Sequence, residues 1–127
     1  MIKTKKKTIF IANKLPEKIK SARLILQHLP YTILATSSEK NYINIIKTQT
    51  HINLILLDIN LINNETNNIF IQSLKINPKL KIIITAKHKI STIFQKNILF
   101  NAYGIILKPF DINELLTTIK EAIKITP

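Results

Sequence analysis

The chain has 127 residues, 46% of them apolar and 20% charged, with a formal net charge of +12. That is one domain's length with enough apolar content to bury a core, which argues against disorder. No stretch reaches the ~18 consecutive apolar residues a membrane span needs, and the absence of cysteine excludes disulfides, thiolate metal sites and thiol nucleophiles.

Residues 1–7 form a basic lead-in, Met1-Ile2-Lys3-Thr4-Lys5-Lys6-Lys7. The apolar segment after it, Ile9 to Ala12, is too short for a signal-peptide core, so a cytoplasmic protein is the expectation. Five short apolar runs follow the pattern of strands covered on both faces: Ile9 to Ala12, Tyr31 to Ala35, Leu54 to Leu57, Ile82 to Ile84 and Ile105 to Leu107.

Segments of helical period lie between them. Pro16 to Leu29 aligns Ile19, Ala22, Leu26 and Leu29, with Pro16 suited to a first turn and Pro30 closing the segment. Ser38 to Thr48 carries Tyr42, Ile45 and Ile46, and Ser37-Ser38 read as a cap. Asn67 to Lys75 carries Phe70, Ile71 and Leu74 and stops before Asn77-Pro78, while Ile90 to Phe100 carries Ile93, Phe94 and Ile98. The last helix aligns Ile112, Leu115, Leu116, Ile119, Ala122 and Ile123, with Asp111 and Glu114 as a capping-box-like start. Strand and helix alternate five times. The expected fold is α/β: a doubly wound five-stranded parallel sheet of order 2-1-3-4-5, a flavodoxin-like (βα)5 domain filling residues 1–127.

The lone glycine, Gly104, leaves no Gly-rich phosphate loop, which argues against a nucleotide enzyme. The basicity has a plain explanation as well as a functional one. Lysine outnumbers arginine 18 to 1, and isoleucine, lysine and asparagine make up 59 of the 127 residues. Arginine suits bidentate phosphate and guanine contacts, and here it is nearly absent. A basic nucleic-acid-associated domain is therefore the third reading. His28, His51 and His88 are scattered, without partners at ligand spacing, and no hydrolase constellation is present, so the chain reads as a non-enzyme.

Three polar residues end successive strands: Asp58, Thr85 and Lys108. In open α/β sheets ligands bind outside those carboxyl ends. A carboxylate, a hydroxyl and an ammonium would converge there. Pro109 would fix the turn that aims Lys108 inward, a cis bond being one way to do so. The blander alternative makes Asp58 a strand-end cap or a structural partner of Lys108.

The segments Leu54-Ile55-Leu56-Leu57-Asp58-Ile59-Asn60-Leu61, Ile82-Ile83-Ile84-Thr85-Ala86 and Gly104-Ile105-Ile106-Leu107-Lys108-Pro109-Phe110 resemble, in order and spacing, the signature segments of response-regulator receiver domains. The resemblance spans essentially the whole chain. It implies a two-component phosphorelay module with Asp58 as phosphoacceptor, Thr85 and Lys108 contacting the phosphoryl group, and the Asn60 carbonyl helping to hold Mg²⁺. It also implies a sensor histidine kinase or phosphotransfer protein upstream and an output protein or domain downstream. Self-association, and signalling through the fourth helix, fifth strand and fifth helix, belong to the same expectation.

Two departures qualify it. Receivers carry an acidic pair after the first strand, where this chain reads Ala12-Asn13. Alanine cannot ligate, and the Asn13 amide is a weaker ligand for a hard cation than a carboxylate. The usual pocket sums to −2, and Asp58 with Lys108 sums to zero. Glu17 and Glu65 are the candidate substitutes. The fifth strand also lacks the aromatic that receivers use as a switch, since Tyr103 precedes it. A degenerate receiver, acting as a phosphorylation-independent interaction module, is accordingly the second reading.

Overall fold

The computed structural model describes residues 6–62, 68–87 and 101–124. Five strands, β1 (Lys7–Ala12), β2 (Tyr31–Thr36), β3 (Leu54–Asp58), β4 (Ile82–Ala86) and β5 (Gly104–Leu107), form one sheet in the order β2-β1-β3-β4-β5. Every neighbouring pair is parallel. The expected topology is therefore observed, with each strand one or two residues longer than its apolar run.

The helices begin and end where local chemistry directs them. Helix α1 (Pro16–Leu26) has proline in its first turn, but it stops three residues before the expected Leu29. Pro30 disfavours helical geometry at Leu29, and the chain tightens instead through Leu29 N–H to Leu26 C=O (3.0 Å) and Tyr31 N–H to Leu29 C=O (2.8 Å). Helix α2 (Glu39–Thr48) is capped by the Ser38 hydroxyl, which accepts from Asn41 N–H at 3.2 Å. Helix α3 (Ile69–Ile76) is capped by Asn68 Oδ1, accepting from Ile71 N–H at 2.9 Å. The C-terminal helix (Ile112–Lys124) follows Asp111, whose Oδ1 accepts from Asn113 N–H at 2.9 Å. That bond falls one residue earlier than the Asp111–Glu114 box anticipated. The expected helix over Ile90 to Phe100 lies outside the described residues, as do Glu65 and His88.

Strand side chains alternate between faces, and the alternation sorts the core into two layers. Phe10, Ala12, Ile55, Leu57, Ile82 and Ile84 cluster with Tyr42 and Ile46 of α2 and Ile69 and Phe70 of α3. Ile9, Ile11, Leu54, Leu56, Ile83 and Ile106 cluster with Leu26 of α1 and Leu115, Ile119, Ala122 and Ile123 of the C-terminal helix. On the first face Phe10 and Tyr42 stack with ring centroids 5.3 Å apart. The Tyr42 hydroxyl donates to Ser73 Oγ (3.2 Å), which donates to Phe70 C=O (2.8 Å). Burial pushes the Tyr42 hydroxyl well above its ordinary pKa, the Ser73 bond acting in the opposite sense.

At the amino edge of the sheet, Lys81 Nζ donates to the Ala122 carbonyl at 2.6 Å and lies 5.7 Å from the Tyr103 ring centroid. It satisfies one of the last-turn carbonyls that a helix leaves unpaired. Among the described residues no helix is long and apolar enough to cross a membrane.

Candidate functional site

Continuing the alternation past the strands names the site. Leu54, Leu56 and then Asp58 share a face, as do Ile83 and Thr85, and Ile106 and Lys108. Asp58 and Thr85 are register partners. Three polar side chains thus emerge at the carboxyl end of the sheet on the α1 and C-terminal-helix side. Lys108 lies one residue beyond β5. Its N–H donates to Ala86 C=O at 2.7 Å, and the Lys108–Pro109 peptide is cis.

Asp58 is 2% exposed and each carboxylate oxygen has partners. Oδ1 accepts from Thr85 Oγ1 at 2.7 Å and forms an ion pair with Lys108 Nζ. Oδ2 accepts from Asn60 N–H at 3.2 Å, so Asp58 also caps the short 3₁₀ turn Ile59–Leu61. A buried carboxylate needs such compensation, because an unpaired one costs several kcal/mol. The sequence's candidates Asp58, Thr85 and Lys108 are brought together, and the cap and ion-pair roles are geometrically real.

The donor set for Mg²⁺ does not assemble in the same way. Ala12 and Asn13 both line the cleft beside Asp58, but Ala12 has no ligating atom and also packs in the α2 and α3 cluster. Asn13 Oδ1 is already engaged, accepting from Leu15 N–H at 3.0 Å. Glu17 is exposed in the first turn of α1 and does not line the cleft beside Asp58. Among the described residues no three His, Cys, Asp or Glu side chains group as a metal site. A hard dication demands several oxygen ligands, preferably anionic. Among the described residues it would meet one carboxylate, Asp58, already paired with the Lys108 ammonium. These residues do not fit Mg²⁺.

What the sequence reading missed is the cleft itself. It measures about 460 Å³ and runs from Asp58 and Thr85 between α1 and the start of the C-terminal helix. Lys18 and Lys87 line it together with Lys108. Residues of α1 (Lys18, Ser21, Ala22 and Ile25) and Lys87 after β4 meet there only through the fold.

The sequence profile of the response regulator receiver domain matches residues 9–120. The chain belongs to the response-regulator receiver family. Its fold matches that of the receiver-domain protein from Methanospirillum hungatei JF-1, described as CheY-like, at TM-score 0.79 and 22% identity, over 94% of this chain and 95% of that one. A receiver domain of an HD-domain-containing protein from Pseudomonas fluorescens Pf-5 gives TM-score 0.82 at 15% identity, over 94% and 96%. NtrX from Brucella abortus matches at TM-score 0.78 and 17% identity, over 94% of this receiver but 26% of that chain. No curated protein gives a significant match. The receiver fold therefore persists across low sequence identity, and its pocket has to be judged on its own residues.

Proposed function

We propose that this receiver is a signalling module of the two-component type whose receiving group is the Asp58 carboxylate. The observation that carries the reading is the convergence of Asp58, Thr85 and Lys108 at one sheet edge. An oxygen of Asp58 attacks the phosphorus of a phosphohistidine or acyl-phosphate donor. The donor's P–N or P–O bond breaks, its electron pair leaves with the donor, and an aspartyl phosphate forms. Lys108 pairs with the added negative charge and Thr85 donates to a phosphoryl oxygen, electrostatic work of the kind phosphoryl transfer depends on. The upstream partner is a sensor histidine kinase or phosphotransfer protein. The downstream partner is an output protein or domain, consistent with NtrX, in which the matched part is 26% of the chain.

A second reading rests on the two occupied Asp58 oxygens and on Ala12-Asn13. In it, the Asp58–Lys108 pair is a locked internal contact and the receiver works by protein–protein interaction without phosphorylation. Intact-mass measurement after incubation with acetyl phosphate separates the two, run with Mg²⁺, with EDTA and with Asp58→Asn. One phosphoryl adduct in the parent chain and none in Asp58→Asn is expected. No adduct under any condition overturns the first reading in favour of the second.

A further inference from the structure

The cleft beside Asp58 has a charge and a lining of its own. Among the described residues its rim carries three ammonium groups, Lys18, Lys87 and Lys108, against the carboxylate of Asp58, a balance of +2. Lys18 and Lys87 are exposed, so both are hydrated and free of the cost of buried charge. The floor and walls are apolar: Ile11 and Leu56 from the sheet, Ala22 and Ile25 from α1, and Phe110 and Leu115 from the C-terminal side. The volume of about 460 Å³ lies within the range of small-molecule sites, which are mostly apolar clefts with a few polar groups that fix orientation.

A pocket built for a dication gathers carboxylates. This one gathers lysines over a hydrophobic floor. We propose that the cleft between α1 and the C-terminal helix binds an amphipathic organic anion, a small molecule with one acidic head and an apolar body. The head sits among Lys18, Lys87 and Lys108. The body lies over Ala22, Ile25, Leu56, Phe110 and Leu115. The site is independent of whether Asp58 accepts a phosphoryl group, and the charge balance gives its test a sign. Replacing Asp58 with asparagine removes its negative charge from beside the head and releases Lys108 to it, so anion binding strengthens.

The probe is 8-anilinonaphthalene-1-sulfonate, titrated by fluorescence into the full chain at low salt, with amide chemical shifts to locate it. Saturable one-to-one binding is expected, with shifts confined to α1, the residues after β4 and the start of the C-terminal helix. Decanoate competes, whereas decanol and inorganic phosphate compete at least about tenfold more weakly, each lacking one half of the recognition. The double charge reversal Lys18→Glu with Lys87→Glu, both at exposed positions, weakens binding about tenfold or more, and Asp58→Asn tightens it. Failure to saturate overturns the proposal, as do shifts located elsewhere, an unchanged affinity in the double variant, or weaker binding in Asp58→Asn. Equal competition by decanol removes the anionic head from it, and equal competition by phosphate removes the apolar body.

Discussion

The two faces of the sheet are built to different standards. The α2 and α3 face holds Phe10, Tyr42 and Phe70, each at most 2% exposed, with a stacked ring pair and a hydrogen-bonded run from Tyr42 through Ser73 to Phe70. The buried residues of the opposite face are all aliphatic, with Tyr31 and Phe110 only partly buried against them, and toward the carboxyl edge it opens into the cleft. The large buried aromatics are concentrated on the face away from Asp58. The face that carries Asp58 leaves space, as a binding surface must.

The largest expected effect tests that asymmetry. Phe10→Ala should lower unfolding free energy by about 3–5 kcal/mol, the usual range for removing a buried aromatic. Ile25→Ala, at a half-buried position beside existing space, should cost about 1 kcal/mol. Urea titration measures both, and equal losses would erase the contrast. Next comes the pocket carboxylate. Asp58→Leu leaves Thr85 Oγ1 and Asn60 N–H without their acceptor and should cost about 2–3 kcal/mol. Asp58→Asn keeps an acceptor, and Lys108, whose side chain is 25% exposed, regains water, so about 1 kcal/mol is expected. A stabilising Asp58→Asn would mean that Asp58 sits among other negative charges.

Tyr42→Phe should cost about 1 kcal/mol at neutral pH, one net hydrogen bond. Its signature is alkaline. The unfolded tyrosine ionises near pH 10 while the buried hydroxyl stays protonated, so the unfolded state binds fewer protons. Stability from this group is complete below about pH 10 and falls above it by up to about 1.4 kcal/mol per pH unit. Tyr42→Phe should remove that component, and identical alkaline slopes in both proteins would contradict the burial. The smallest effect belongs to Mg²⁺. A millimolar site would add about 1.4 kcal/mol at ~10 mM Mg²⁺, and the melting temperature is expected to stay unchanged across that range.

Much of this was readable from residue order. Short unbroken apolar runs identified the strands, and Asp58, Thr85 and Lys108 stood at their ends because a parallel sheet presents those ends together. Helix ends were less legible. Leu29 continued the apolar stripe, yet Pro30 ended the helix at Leu26, a backbone restriction outweighing side-chain periodicity. The cleft was illegible for another reason. Lys18 and Lys87 read as solvated lysines among 18, and only the fold brings α1 and the residue after β4 to the same cleft. Space between elements is set by packing, which no local pattern encodes.

Lys81 has a mechanical consequence. Its bond to the Ala122 carbonyl pins the last turn of the C-terminal helix to the sheet's amino edge, while Phe110 and Leu115 at the other end border the cleft. A charged hydrogen bond thus fastens the last turn, while burial of Leu115 and Ile119 holds the rest of the helix to the sheet, so the two ends are secured by different chemistry.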